Sequence, residues 1–180
     1  TALALGLAVS DGIRLGGSFP AVPPPDGDGR TLLYYGREDP PAVIKERLRI
    51  LARPDTYSIE HFYIATAAAR LDLDTLNGQE DLVAVVEQAK PRLIIFDTAR
   101  RFFQGDENSS ETVAVVTTFL RNLCAETGVS VLVNHHLDAS GHKARGSTEW
   151  PAAADCCLIA KKEHLQGRRV AVRIEGEARS

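Results

Sequence analysis

"RLIIFDT", residues 92–98, is an apolar run closed by a carboxylate. A strand covered on both faces reads this way, because neither face alternates with solvent. Two more runs end in polar groups. "TLLYYG" (31–36) leads into Glu38 and Asp39, and "VSVLVNHH" (129–136) ends in His135 and His136. "FYIATA" (62–67) supplies a further strand. Helical spacing fills the gaps: Val43, Ile44, Leu48 and Leu51; then Leu82, Val83, Val86 and Ala89; then Val116, Phe119, Leu120 and Leu123. Alternating strands and helices predict an α/β fold with a mainly parallel sheet flanked by helices. "DCCLIAKK" and "RRVAVRIEG" predict a C-terminal antiparallel hairpin around Gly167.

Local signals set the helix ends. Asp39 and Pro40 predict an N-cap followed by a proline in the first helical position. Asn108 predicts a second cap, with Glu111 three residues on completing a capping box. Gly128 ends that helix. "TALALGLAV" (1–9) is apolar on all faces and predicts a buried helix. The Gly- and Pro-rich stretch 16–30 predicts a surface loop.

A chain of 180 residues suits one domain, 1–180. At that length folding buries roughly 70% of the unfolded surface, enough for a core without cross-links. The net charge of -3 excludes a global basic field, so any nucleic-acid surface must be local. No apolar run reaches the ~18 residues of a membrane span, and no basic segment precedes the apolar N-terminus as in a signal peptide. Three cysteines without framework spacing point to a reducing cytoplasm; the adjacent Cys156 and Cys157 read as core. The chain has no methionine, even at its start, and closes on "EGEARS". The first observation predicts a missing N-terminus and the second a truncated C-terminus.

In open α/β sheets, ligands bind at the carboxyl ends of the strands. Three polar strand ends therefore predict one site. An apolar run closed by Asp is the Walker B pattern, in which the carboxylate holds the water shell of Mg²⁺. Its partner is a phosphate loop, G-x-x-x-x-G-K-[ST], between a strand and a helix. No such loop is present, which predicts that the N-terminal strand and loop are missing. Thr1, directly before an Ala/Leu-rich helix, stands where the final [ST] would be. "LVNHHLDASGHKARGS" (132–147) has a competing reading, a metal site made of His135, His136, Asp138 and His142. Against it, neighbours on a strand point to opposite faces, and His142 lies in a Gly/Ser loop.

These segments together resemble the RepA-type hexameric replicative helicases of broad-host-range plasmids, within the RecA-like P-loop ATPases. "YYGREDPPAVIKERLRIL", "RLIIFDTARRFFQGDENSS" and "VSVLVNHHLDASGHKARGS" carry the resemblance, in order, over residues 1 to about 160. It implies ATP and Mg²⁺ as cofactors, a homo-oligomeric ring, and single-stranded DNA as partner. It implies that Thr1 gives its hydroxyl to Mg²⁺ and that Asp97 holds the ion through water. Glu38 becomes the base for the attacking water. His136 faces the γ-phosphate at a strand tip where RecA-like proteins often carry Gln, with His135 as second candidate. Arg145 becomes an arginine finger reaching a neighbouring subunit, and Arg47 lies beside the adenine. Such parts serve phosphoryl transfer, where catalysis is positioning plus charge stabilisation.

Three departures bear on this. The absent phosphate loop predicts that this chain alone hydrolyses ATP poorly. Arg37 puts a charge beside Glu38. The segment between His136 and Arg145 is shorter than in the family, which counts against the expectation of DNA translocation more than against that of ATP binding. A RecA-like regulatory or DNA-repair accessory ATPase without unwinding, and a metal-dependent hydrolase, remain as alternatives.

Overall fold

The computed structural model describes residues 32–36, 38–51, 62–65, 71–164 and 170–178. The expected N-terminal helix, the 16–30 loop, Thr1, Arg37 and Gly167 lie outside them. Four strands form a parallel sheet: β1 (Leu32–Gly36), β2 (Phe62–Ala65), β3 (Leu93–Asp97) and β4 (Ser130–Val133). Their spatial order is β2-β1-β3-β4, with β1 and β4 flanking β3. The helices are α1 (Pro41–Leu51), α2 (Leu76–Ala89), α3 (Ser110–Thr127) and α4 (Glu149–Ala153), with a 3₁₀ turn over Ala99–Phe102. β5 (Cys156–His164) and β6 (Val170–Ala178) pair antiparallel as a separate sheet. This is the α/β core with a C-terminal hairpin that the apolar runs predict.

β3 explains why "LIIF" has no polar alternation. Ile94 and Phe96 pack with Leu82 and Val86 of α2 and Val113, Val116 and Leu120 of α3. Leu93 and Ile95 pack on the other face with Ile44 and Leu48 of α1 and with Tyr34 and Phe62. β3 is thus apolar throughout because helices cover both of its faces. β4 differs: Val131, Leu132 and Val133 are half-buried, and its outer edge has no partner strand among the described residues.

Two cap assignments shift by one residue. The Pro40 carbonyl accepts from the N–H groups of Val43 and Ile44. Pro40 therefore precedes α1 and Pro41 takes the first helical position, where its missing N–H costs nothing. Asp39 is not the cap; its carboxylate binds Arg47. At α3 the cap is Ser109, whose hydroxyl accepts from Thr112 N at 3.2 Å. Asn108 instead donates to Asp106. Gly128 closes α3 in the left-handed conformation, φ 73°. Phe102 and Phe103 are buried, in keeping with a packing role. Cys156 is exposed and Cys157 half-buried, so the pair is not core. Among the described residues, no helix is long and apolar enough to cross a membrane.

Candidate functional site

Parallel pairing lines up the carboxyl ends of β1, β3 and β4. Gly36 pairs with Asp97 and Phe96 with Val133, so the residues just past these positions leave the sheet at one edge. Glu38 and Asp39 follow β1, Asp97 ends β3, and Asn134, His135 and His136 follow β4. Of the residues expected there, Glu38, Asp97 and His136 come to this edge. His136 Nε2 lies 3.1 Å from Glu38 Oε1, joining strand ends 98 residues apart. Both side chains are partly open to solvent.

Asp97 is held from both neighbouring strands. The Tyr34 hydroxyl of β1 donates to Asp97 Oδ2 at 2.5 Å. Asn134 Nδ2, just past β4, donates to Asp97 Oδ1 at 3.1 Å. Asn134 is itself fixed to β3, because its N–H donates to the Phe96 carbonyl and its carbonyl accepts from Ala99 N. Tyr34 is only 1% exposed. Burial, then the hydrogen bond to Asp97 and that carboxylate's charge, push its hydroxyl far above the ordinary tyrosine range. The phenol therefore remains a donor at neutral pH. Neither Tyr34 nor Asn134 stands out in the sequence. Tyr34 reads there as one more apolar strand residue, and Asn134 as the end of a run.

The adjacent histidines, both past the end of β4, diverge. His136 turns to Glu38, whereas His135 packs on Trp150 with ring centroids 5.3 Å apart. His135 Nδ1–H donates to the His136 carbonyl at 3.0 Å, and its Nε2 is buried without a hydrogen-bond partner. Asp138 accepts from the Ser140 hydroxyl, which holds its carboxyl below the usual range, and His142 faces Lys161. His135, His136, Asp138 and His142 thus make separate contacts. No three His, Cys, Asp or Glu side chains among the described residues are grouped to hold a metal ion.

The side chains of Arg145 and Arg47 do not join the Glu38–His136 contact; each is held in an ion pair of its own. Arg145 grips Glu107 through Nε at 2.9 Å and NH2 at 3.1 Å. The turn that carries it is docked. Arg145 N–H donates to the His136 carbonyl, Ser147 N–H to the Glu107 carbonyl, and Leu137 bridges Ala144. Gly146 has φ 87°, and a Cβ there would lie 2.5 Å from the Glu107 carbonyl oxygen. Only glycine fits so close an approach. Glu107 lies in "GDENSS", and its partner 38 residues on is invisible in the sequence. Arg47 pairs with Asp39 at 2.5 Å on α1.

The strand ends converge at the carboxyl edge of a parallel α/β sheet, and Asp97 closes an apolar strand of the Walker B pattern. No curated protein matches the chain. A family model described as an AAA domain matches residues 1–142, well over half of the chain and all of the parallel sheet. The chain therefore belongs to the AAA domain family of P-loop ATPases.

Proposed function

We propose that this chain is the motor core of a ring-forming, ATP-driven helicase that acts on single-stranded DNA in the cytoplasm. The convergence of Glu38, Asp97 and His136 on one sheet edge carries the reading. In this reading Glu38 orients the attacking water and accepts its proton, and His136 meets the γ-phosphate. Their contact lets a change at the phosphate reach the base. Arg145 serves as the finger toward a neighbouring subunit of a hexamer, aimed by Glu107. Arg47 flanks the adenine from α1.

Mg²⁺ fits the residues present. Asp97 is half-buried, and each of its oxygens accepts one hydrogen bond and keeps lone-pair capacity toward the strand tips. Mg²⁺ keeps most of its waters and takes one or two carboxylates plus substrate phosphates, rather than an all-protein cage. Asp97 would hold it through water, and Thr1 through its hydroxyl. When bound, the ion neutralises charge developing on the phosphates. The half-buried outer edge of β4, without a partner strand among the described residues, supports this assignment too, since a parallel phosphate-loop strand could pair there. The three free cysteines suit a reducing compartment.

The deciding experiment measures ATP hydrolysis by the full-length protein, phosphate loop included, with and without single-stranded DNA. Stimulation by DNA is the expected result. Hydrolysis indifferent to DNA would sink the helicase reading in favour of an accessory ATPase.

A further inference from the structure

We propose that Tyr34 and Asn134 are positioning residues that set the orientation of the Asp97 carboxylate toward a divalent cation. The inference rests on the motor reading above and adds two residues to it. Its basis is the two-sided grip on Asp97: a hydroxyl from β1 on one oxygen and an amide from the end of β4 on the other.

A carboxylate that holds a hydrated ion through water gains little from direct bonding, so its orientation must come from the protein. Asp97 sits at a strand tip, half open to solvent, where an unrestrained side chain would sample several rotamers. With one donor on each oxygen, rotation about its terminal torsion breaks both bonds. The remaining lone pairs then face a fixed direction.

The sequence around Tyr34 is shaped to permit this. Tyr34 and Gly36 share a face of β1, and a Cβ on Gly36 would lie 2.4 Å from Tyr34 Cε1 and 2.9 Å from Ile44 Cδ1. The ring therefore lies over Gly36 toward Asp97, the register partner of that glycine. A side chain at 36 would push the phenol off its track. Phe62, 6.2 Å from the Tyr34 ring, and Ile44 pack around it. A buried phenol facing a carboxylate could be mere satisfaction of a polar group. The second donor on the other oxygen, drawn from the strand on the opposite side, is what packing alone does not require.

Outer-shell partners of ligating groups typically contribute 10–100-fold in metal affinity. The test measures Mn²⁺ affinity by electron paramagnetic resonance in the full-length protein, phosphate loop included, with ADP, alongside the melting temperature. Variants are Tyr34→Phe, Asn134→Ala and Asp97→Asn. Tyr34→Phe and Asn134→Ala should each weaken Mn²⁺ binding about 10-fold, while nucleotide binding without metal is unchanged. A purely structural role would lower the melting temperature and leave Mn²⁺ affinity alone. That result, with Asp97→Asn defective, would overturn the positioning role and spare the motor reading. Wild-type Mn²⁺ affinity in Asp97→Asn would overturn the motor reading, and this inference with it. Should Tyr34→Phe fail to fold, Asn134→Ala decides on the same terms.

Discussion

At the scale of single residues, Glu38 carries the sharpest expectation. It stands past the end of β1, partly exposed, with His136 3.1 Å away. Glu38→Gln preserves shape and hydrogen-bonding reach but cannot accept a proton. General-base catalysis contributes typically 10²–10⁴-fold. The variant should therefore bind ATP like the parent and lose at least about 100-fold in kcat. Single-turnover hydrolysis beside equilibrium nucleotide binding checks this, and parental turnover would remove Glu38 from the role of base. Asp39, the adjacent carboxylate, is already engaged by Arg47. Asp39→Asn should thus leave kcat within a few-fold and serves as the neighbouring control.

At the scale of elements, α3 tests the corrected cap. Ser109 accepts from Thr112 N, whereas Asn108 is turned toward Asp106. Removing a Ser cap costs about 1 kcal/mol. Ser109→Ala should lower unfolding free energy in urea by about that amount, and Asn108→Ala should lower it by clearly less. The reverse order would restore the assignment that the sequence favours. The contrast shows where sequence reading stops. "RLIIFDT" announces a strand covered on both faces, but "VSVLVNHH" is as apolar and its strand β4 is only half-buried, so composition alone does not separate covered from half-covered surface. "ENSSE" offers three consecutive polar residues able to cap, and only backbone dihedrals choose among them. Cys156 and Cys157 read as core because "CCLIA" is apolar, yet on the two-stranded hairpin Cys156 is exposed and Cys157 only half-buried. The grip of Tyr34 on Asp97 spans 63 residues and depends on strand order, which no local pattern encodes.

At the scale of the whole molecule, the question is how Arg145 could serve another subunit while bound to Glu107 of its own. The bidentate ion pair and the docked turn fix the direction in which the guanidinium leaves the surface. Arg145 keeps about half of its side chain exposed, so donors remain free for a phosphate across a boundary. Mixing full-length Glu38→Gln with full-length Arg145→Ala, each inactive alone, separates the cases. If the two residues serve one site from different subunits, some boundaries in a mixed ring carry both intact residues, and partial ATPase activity returns. A mixture shown to co-assemble yet without activity would make Arg145 a residue of its own subunit's surface.

The order β2-β1-β3-β4 also governs time. Every bond that builds the sheet-edge site joins distant parts of the chain: Tyr34 to Asp97, Asn134 to Asp97, and Glu38 to His136. Closing such long loops costs chain entropy before any contact repays it. The α3–β4 segment must be laid beside β3 before Asp97 acquires its second donor or Glu38 meets His136. During synthesis the chain through β3 can therefore emerge from the ribosome, and β1 can pair with β3, without a finished site. The sheet-edge site is incomplete until the chain through His136 is in place.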